Sequence, residues 1–160
     1  MNWFRDMEIL SIKVNANSNA TESVSKVRTL FKNLISSFNS KLLTTRVVDG
    51  GYGNPITTME YLSNEKNENF HIFRNIAEKL TDQDKVLILD ELEKRLNSKG
   101  VLHLRFSKRS LAQNIISISS QSDSIRVLIK FTLRNHRFDI KKNFRELKEF
   151  LSEIGIIEEK

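Results

Sequence analysis

Val101-Leu102-His103-Leu104-Arg105-Phe106-Ser107 and Ile125-Arg126-Val127-Leu128-Ile129-Lys130-Phe131 decide the fold. In the first, Leu102, Leu104 and Phe106 point one way, while Val101, His103, Arg105 and Ser107 point the other. In the second, Ile125, Val127, Ile129 and Phe131 alternate with Arg126, Leu128, Lys130 and Thr132. A period of two is the signature of a strand with one buried face. The opposite face then carries His103, Arg105, Arg126 and Lys130. If helices cover only the apolar face, the other becomes a platform for a polyanion.

Elements of the same kind extend outward from these strands. From Met7 to Ala16, Leu10, Ile12, Val14 and Ala16 fall on one face and Ser11, Lys13 and Asn15 on the other, which predicts another strand. A polar loop follows, in which Thr21 or Asn19 could cap a helix. Val24, Val27, Leu30, Phe31, Leu34 and Phe38 then recur at helical spacing. Lys41–Val48 and Ile56–Leu62 predict a hairpin joined by Asp49-Gly50-Gly51-Tyr52-Gly53-Asn54-Pro55, the densest turn signal in the chain. Two helices come next. One has Phe70, Phe73, Ile76, Ala77 and Leu80 on its inner face. The other opens at Thr81, with Val86, Leu89, Leu92 and Leu96 as its stripe and Gly100 as its end. Lys108–Asn114 predicts a helical turn. A last helix carries Phe144, Leu147, Leu151 and Ile154 and ends at Gly155. The order β-α-β-β-α-α-β-β-α predicts a single α+β domain over residues 1–160, core about 7–154, with a mixed β-sheet covered by helices on one face.

The chain has 160 residues, 26 basic and 20 acidic, a formal charge of +6 and no cysteine. Disulfides, zinc fingers and thiol catalysis are therefore excluded. No apolar run approaches the roughly 20 residues a membrane helix needs, and the first residues resemble neither a signal nor a transit peptide. The expectation is a cytoplasmic protein. Its positive charge is unevenly spread: Val101–Lys148 holds eleven basic residues and three acids, an excess of +8, against 15 basic and 17 acidic elsewhere. Such clustering suits salt-dependent phosphate binding.

Signals for other chemistry are weak. His71, His103 and His136 have no partner at metal-ligand spacing, and no Gly-x-Ser-x-Gly nucleophile elbow appears. The acidic pairs, Asp82 with Asp84 among them, lie at helix starts, on solvent faces or in the tail, not where acid–base catalysis needs them. Gly50-Gly51-Tyr52-Gly53 lacks a following Gly-Lys-Ser/Thr and a helix, so a tight turn is favoured over a phosphate cradle. No catalytic residue, metal or cofactor is expected.

Gly51-Tyr52-Gly53-Asn54-Pro55-Ile56 resembles the Gly-x-x-Gly-Asn-Pro-Ile hairpin of an archaeal family of predicted RNA-binding, exosome-linked proteins. Leu92–Lys108 is similar to that family's helix end, glycine turn and Leu-x-Leu-Arg-Phe strand, and Ser124–Lys130 to its basic closing strand. The pieces fit in order from Met7 to Phe131. Ser107 departs from the pattern, standing where the family tends to have an acid. The resemblance implies a fold like that of the fifth large-subunit ribosomal protein and a non-catalytic role on exosome-processed or ribosomal RNA. On this view Arg105, Arg126 and Lys130 meet phosphates from the open face, Lys108 and Arg109 extend the track, and Tyr52 stacks on a base. The competing expectation is an assembly factor. In it the basic face docks an acidic protein, and an edge strand or the tail Ile154-Gly155-Ile156-Ile157 forms a homodimer.

Overall fold

The computed structural model describes residues 7–51, 53–132, 140–153 and 155, without the side chains of residues 140–144 and 146. Five strands form one sheet in the order β2-β3-β1-β5-β4. They are β1 (Ile9–Ser18), β2 (Leu43–Asp49), β3 (Pro55–Ser63), β4 (Val101–Phe106) and β5 (Ile125–Phe131). The helices are α1 (Val24–Leu34), α2 (Lys66–Lys79), α3 (Asp82–Asp90), α4 (Leu92–Arg95), α5 (Lys108–Ala112) and α6 (Ile140–Glu153). The fold is α+β, as expected. The sheet, however, is antiparallel at every pairing and not mixed. Strands β1, β2 and β4 run the same way, but β3 and β5 insert between them, so parallel strands never become neighbours.

One core lies between the sheet's inner face and the helices. Ile12, Val14, Met59, Tyr61, Leu104 and Val127 meet Phe31 of α1, Phe73 and Ile76 of α2, and Leu147 and Leu151 of α6. Phe131 stands edge-on to both Phe73 and Phe150. Burying this apolar surface is the main force holding helices to sheet.

In β1 the inward residue is Ile9, not Leu10. A register shift between Ile9 and Ser11 makes Leu10 the extra residue of a bulge against β5, and a bulge reverses the parity that alternation assumes. The buried Asn69 of α2 donates its Nδ2 hydrogen to the Ile9 carbonyl at 2.9 Å. The α2 face is rotated accordingly: Asn69 and Ile72 are buried, and Phe70 lies at the margin, edge-on to Phe150. The helix after Thr81 breaks at Glu91. Ile88 and Leu92 are its buried residues, while Val86 and Leu87 are exposed. Ser23, not Thr21 or Asn19, caps α1, accepting from the Lys26 N–H.

The glycine-rich segment is a hairpin turn, closed by Gly50 N–H donating to the Asn54 carbonyl at 2.9 Å. A Cβ at Gly50 would come within 2.7 Å of that carbonyl oxygen and 2.5 Å of Ile56 Cδ1, so only glycine fits there. Tyr52 lies outside the described residues, as do the tail residues Ile154, Ile156 and Ile157.

Tyr61 is fully buried, stacks on Phe38 at 5.3 Å, and accepts a hydrogen bond from the Asn39 N–H at 3.2 Å. Burial pushes its phenol pKa up. The Asn39 N–H opposes the rise, and the Glu68 carboxylate adds to it. A raised folded-state pKa means the folded chain holds the proton more tightly than the unfolded chain. The associated stability is therefore complete below the ordinary phenol value of about 10 and is lost as pH rises from there through the folded value. Tyr61→Phe should lose less stability than wild type as pH rises above about 10. Urea midpoints that fall in parallel in the two proteins would contradict this.

Candidate nucleic-acid interface

The outer face of the sheet is set by register. One row crosses all five strands: Arg105 on β4 faces Arg126 on β5, Arg126 faces Asn15 on β1, Asn15 faces Glu60 on β3, and Glu60 faces Thr44 on β2. At about 4.8 Å per strand the row is about 19 Å long. Lys13 and Lys130 lie to one side of it and Arg46 to the other. Arg46 pairs in register with Thr58, and Thr58 with Asn17. Arg46, Arg105, Arg126, Lys130 and Glu60 are exposed, and half-buried Leu62, Leu128 and Val101 floor the far side. Among the described strand residues, Glu60 is the one carboxylate on this face. Its nearest ion-pair contact is Lys13 Nζ at 3.8 Å, with both side chains more than 40% exposed. Such a pair is weak.

Two features give the face its character. Arg105 and Arg126 are directly opposed across β4 and β5, and like charges in that position repel. Arg126 is also held in place: its Nε donates to Asn15 Oδ1 at 2.8 Å. A fixed guanidinium beside a second one suits forked hydrogen bonding to phosphate oxygens. Next to them a depression of about 380 Å³ is lined by Asn15, Asn17, Thr44, Arg46, Thr58, Glu60 and Arg126.

Of the cations expected at the site, Arg105, Arg126 and Lys130 come together. Lys108 does not join them. Its Nζ donates to the Asn17 carbonyl at 2.6 Å, to Asp123 at 2.6 Å and to Glu22 at 3.2 Å, and its side chain is 10% exposed. It ties the start of α5 to the end of β1 and to the loops before α1 and β5. Ser107 caps α5 by accepting from the Ser110 N–H, which makes Lys108 the first residue of that helix. The acid that the resemblance puts at this position would cap equally well. Arg109 lines a separate groove of about 640 Å³ between α1 and α5, with Lys26 and Asn33, away from the open face. Arg145 and Lys148 are exposed on α6, in the helical layer. Among the described residues, the basic side chains of this C-terminal stretch are thus divided among several surfaces.

Sequence reasoning missed Arg46, Glu60, Thr44 and Thr58 as site residues. The parity of β1 already put Lys13 and Asn15 outward, but an excess counted by segment overlooked a lysine from the N-terminal strand. For Arg46 there was no signal, because almost all of β2 is exposed and its residues do not alternate.

A family model described as RNA binding matches residues 11–131. The chain belongs to this RNA-binding family. The matched span lies within the Met7–Phe131 region that carries the resemblance, and it includes every strand residue of the interface from Ser11 to Phe131. Solved structures share the fold of this RNA-binding family member. A DUF54 protein from Methanothermobacter thermautotrophicus is 21% identical, with a TM-score of 0.72 over 90% of this chain and 98% of that one. A DUF54 protein from Archaeoglobus fulgidus is 24% identical, with a TM-score of 0.73 over 89% and 98%. A UPF0201 protein from Methanococcus jannaschii is 13% identical, with a TM-score of 0.55 over 94% and 96%. No curated protein matches the chain. No helix among the described residues is long and apolar enough to cross a membrane.

Proposed function

We propose that the protein is a non-catalytic RNA-binding module that lays a single-stranded segment across the outer face of its sheet. The observation that carries this reading is the opposed pair Arg105 and Arg126, with Arg126 fixed by Asn15. Folding has to bring these two charges together against their repulsion, and an anion between them turns that penalty into binding. Lys130, Lys13 and Arg46 continue the positive field on either side. Salt-dependent attraction to phosphates supplies most of the affinity. Exosome-processed or ribosomal RNA is the target that the family resemblance implies, and the cytoplasm is the compartment proposed from the cysteine-free composition.

Filter binding of single-stranded RNA across a salt series tests this reading. With three or four phosphates neutralised, log affinity should fall against log salt with a slope of about −2 to −3. Binding that is absent, or indifferent to salt, would overturn it.

Among the described residues no strand pairs with the outer edge of β2, which favours a second reading, assembly of two copies or docking of a protein partner. The β4 edge is already occupied: the Ser119 N–H donates to the Arg105 carbonyl at 2.8 Å and the Asn97 N–H to the Val101 carbonyl at 3.0 Å. On β2, Val47 is 68% exposed and Val48 38%, and an unpaired strand with exposed valines invites pairing. Light scattering that gives a dimer, lost in Val47→Lys, supports this second reading; a monomer at all concentrations contradicts it.

A further inference from the structure

Glu60 is an anomaly on this surface. A carboxylate amid phosphate-binding cations repels the ligand they attract, unless it binds a different part of that ligand. Its surroundings show which part. Glu60 sits two strands from Arg126 in the same row, about 10 Å away by strand spacing. That is of the order of the distance from a nucleotide's phosphate to the far edge of its base. The intervening depression of about 380 Å³ falls within the size range of small-ligand sites, and Asn15, Thr44 and Thr58 line it with polar groups. Among the described residues, only the long contact with Lys13 engages the Glu60 carboxylate.

We propose that this depression is a guanine-reading subsite, with Glu60 accepting two hydrogen bonds from the base edge while Arg126 and Arg46 hold the flanking phosphates. This rests on the RNA-binding reading and deepens it. The choice of base follows from donor patterns. A carboxylate only accepts, so it favours an edge with adjacent donors. Guanine offers N1–H and the N2 amino group side by side. Adenine and cytosine each set a ring-nitrogen acceptor beside their amino group, and uracil flanks its single N–H with two carbonyls. Single-stranded RNA exposes these edges. Glu60 gives up little for the exchange, because its contact with Lys13 is exposed and long.

Three heptanucleotides test the proposal by fluorescence anisotropy with the full chain: all adenosine, and the same with a central guanosine or a central inosine. The guanosine heptamer should bind at least about fivefold more tightly than the all-adenosine one, the low end of what a bidentate base contact discriminates. Inosine, which lacks the N2 amino group, should fall between them. Glu60→Gln should weaken the guanosine complex and tighten the all-adenosine one, because it removes both the double acceptor and a charge that repels phosphate. Equal affinity for the three RNAs, or a parallel weakening of all three by Glu60→Gln, would overturn the guanine subsite while leaving RNA binding intact. No binding to any heptamer at low salt would overturn the RNA-binding reading itself, and the subsite with it.

Discussion

Arg105→Thr combined with Arg126→Thr should weaken RNA binding about 30-fold at low salt and flatten the salt slope by about 1.4 units, two single-strand phosphate contacts at about 0.7 each. Each arginine is exposed, so each contributes on the order of 1 kcal/mol after screening, less than a buried charged hydrogen bond would. The same change should make the protein more stable. Arg105 and Arg126 face each other across β4 and β5; removing the repulsion returns about 0.2–1 kcal/mol, and threonine suits a strand. For a chain of this size that is a rise in Tm of about 1–3 °C, with Arg105→Thr alone sufficient for most of it. Weaker binding with greater stability is the pattern of a functional surface held together at some expense to the fold. A fall in Tm together with unchanged RNA affinity would show that the pair is structural.

Lys108→Met should have the opposite profile. It removes the cation that joins Glu22, Asp123 and the Asn17 carbonyl and leaves those acceptors without their shared donor. The two carboxylates are 29% and 54% exposed, so water recovers part of the loss. A penalty of about 2 kcal/mol is expected, short of the 3–5 for a fully buried pair. Thermal unfolding should show a drop of about 4–8 °C. RNA affinity measured at a temperature where the variant stays folded should change less than about twofold, because the Nζ is not presented to a ligand. Wild-type stability with a loss of RNA binding like that of the arginine variants would instead make Lys108 a phosphate ligand.

The contrast between Arg105 and Lys108 marks how much of the site was legible in the sequence. Strand parity is a local property, and it assigned Arg105, Arg126, Lys130 and Lys13 to the outer face because β4, β5 and most of β1 alternate cleanly. It failed where the backbone leaves the regular pleat. Alternation places Leu10 inward because no residue signals the bulge that Asn69 supports from α2. Val86 and Leu89 were assigned to a buried stripe because the break at Glu91 depends on how Ile88 and Leu92 pack. Charge counting groups Lys108 with the phosphate ligands because its three partners lie 15 to 91 residues away in the chain, a separation that a count along the sequence cannot register. Glu60 carries no signal in the sequence for a related reason. Its significance comes from its row neighbours on other strands, and only the register brings a lone carboxylate into line with two arginines.

RNA binding by this protein requires the strand to cross the outer face of the sheet. Amide chemical-shift mapping of the full chain, titrated with the guanosine heptamer, tests that most directly. Shifts should concentrate at Asn15, Glu60, Arg105, Arg126 and Lys130, and leave the α1–α5 groove around Lys26 and Arg109 unmoved. Shifts confined to that groove or to α6, with the strands silent, would contradict it.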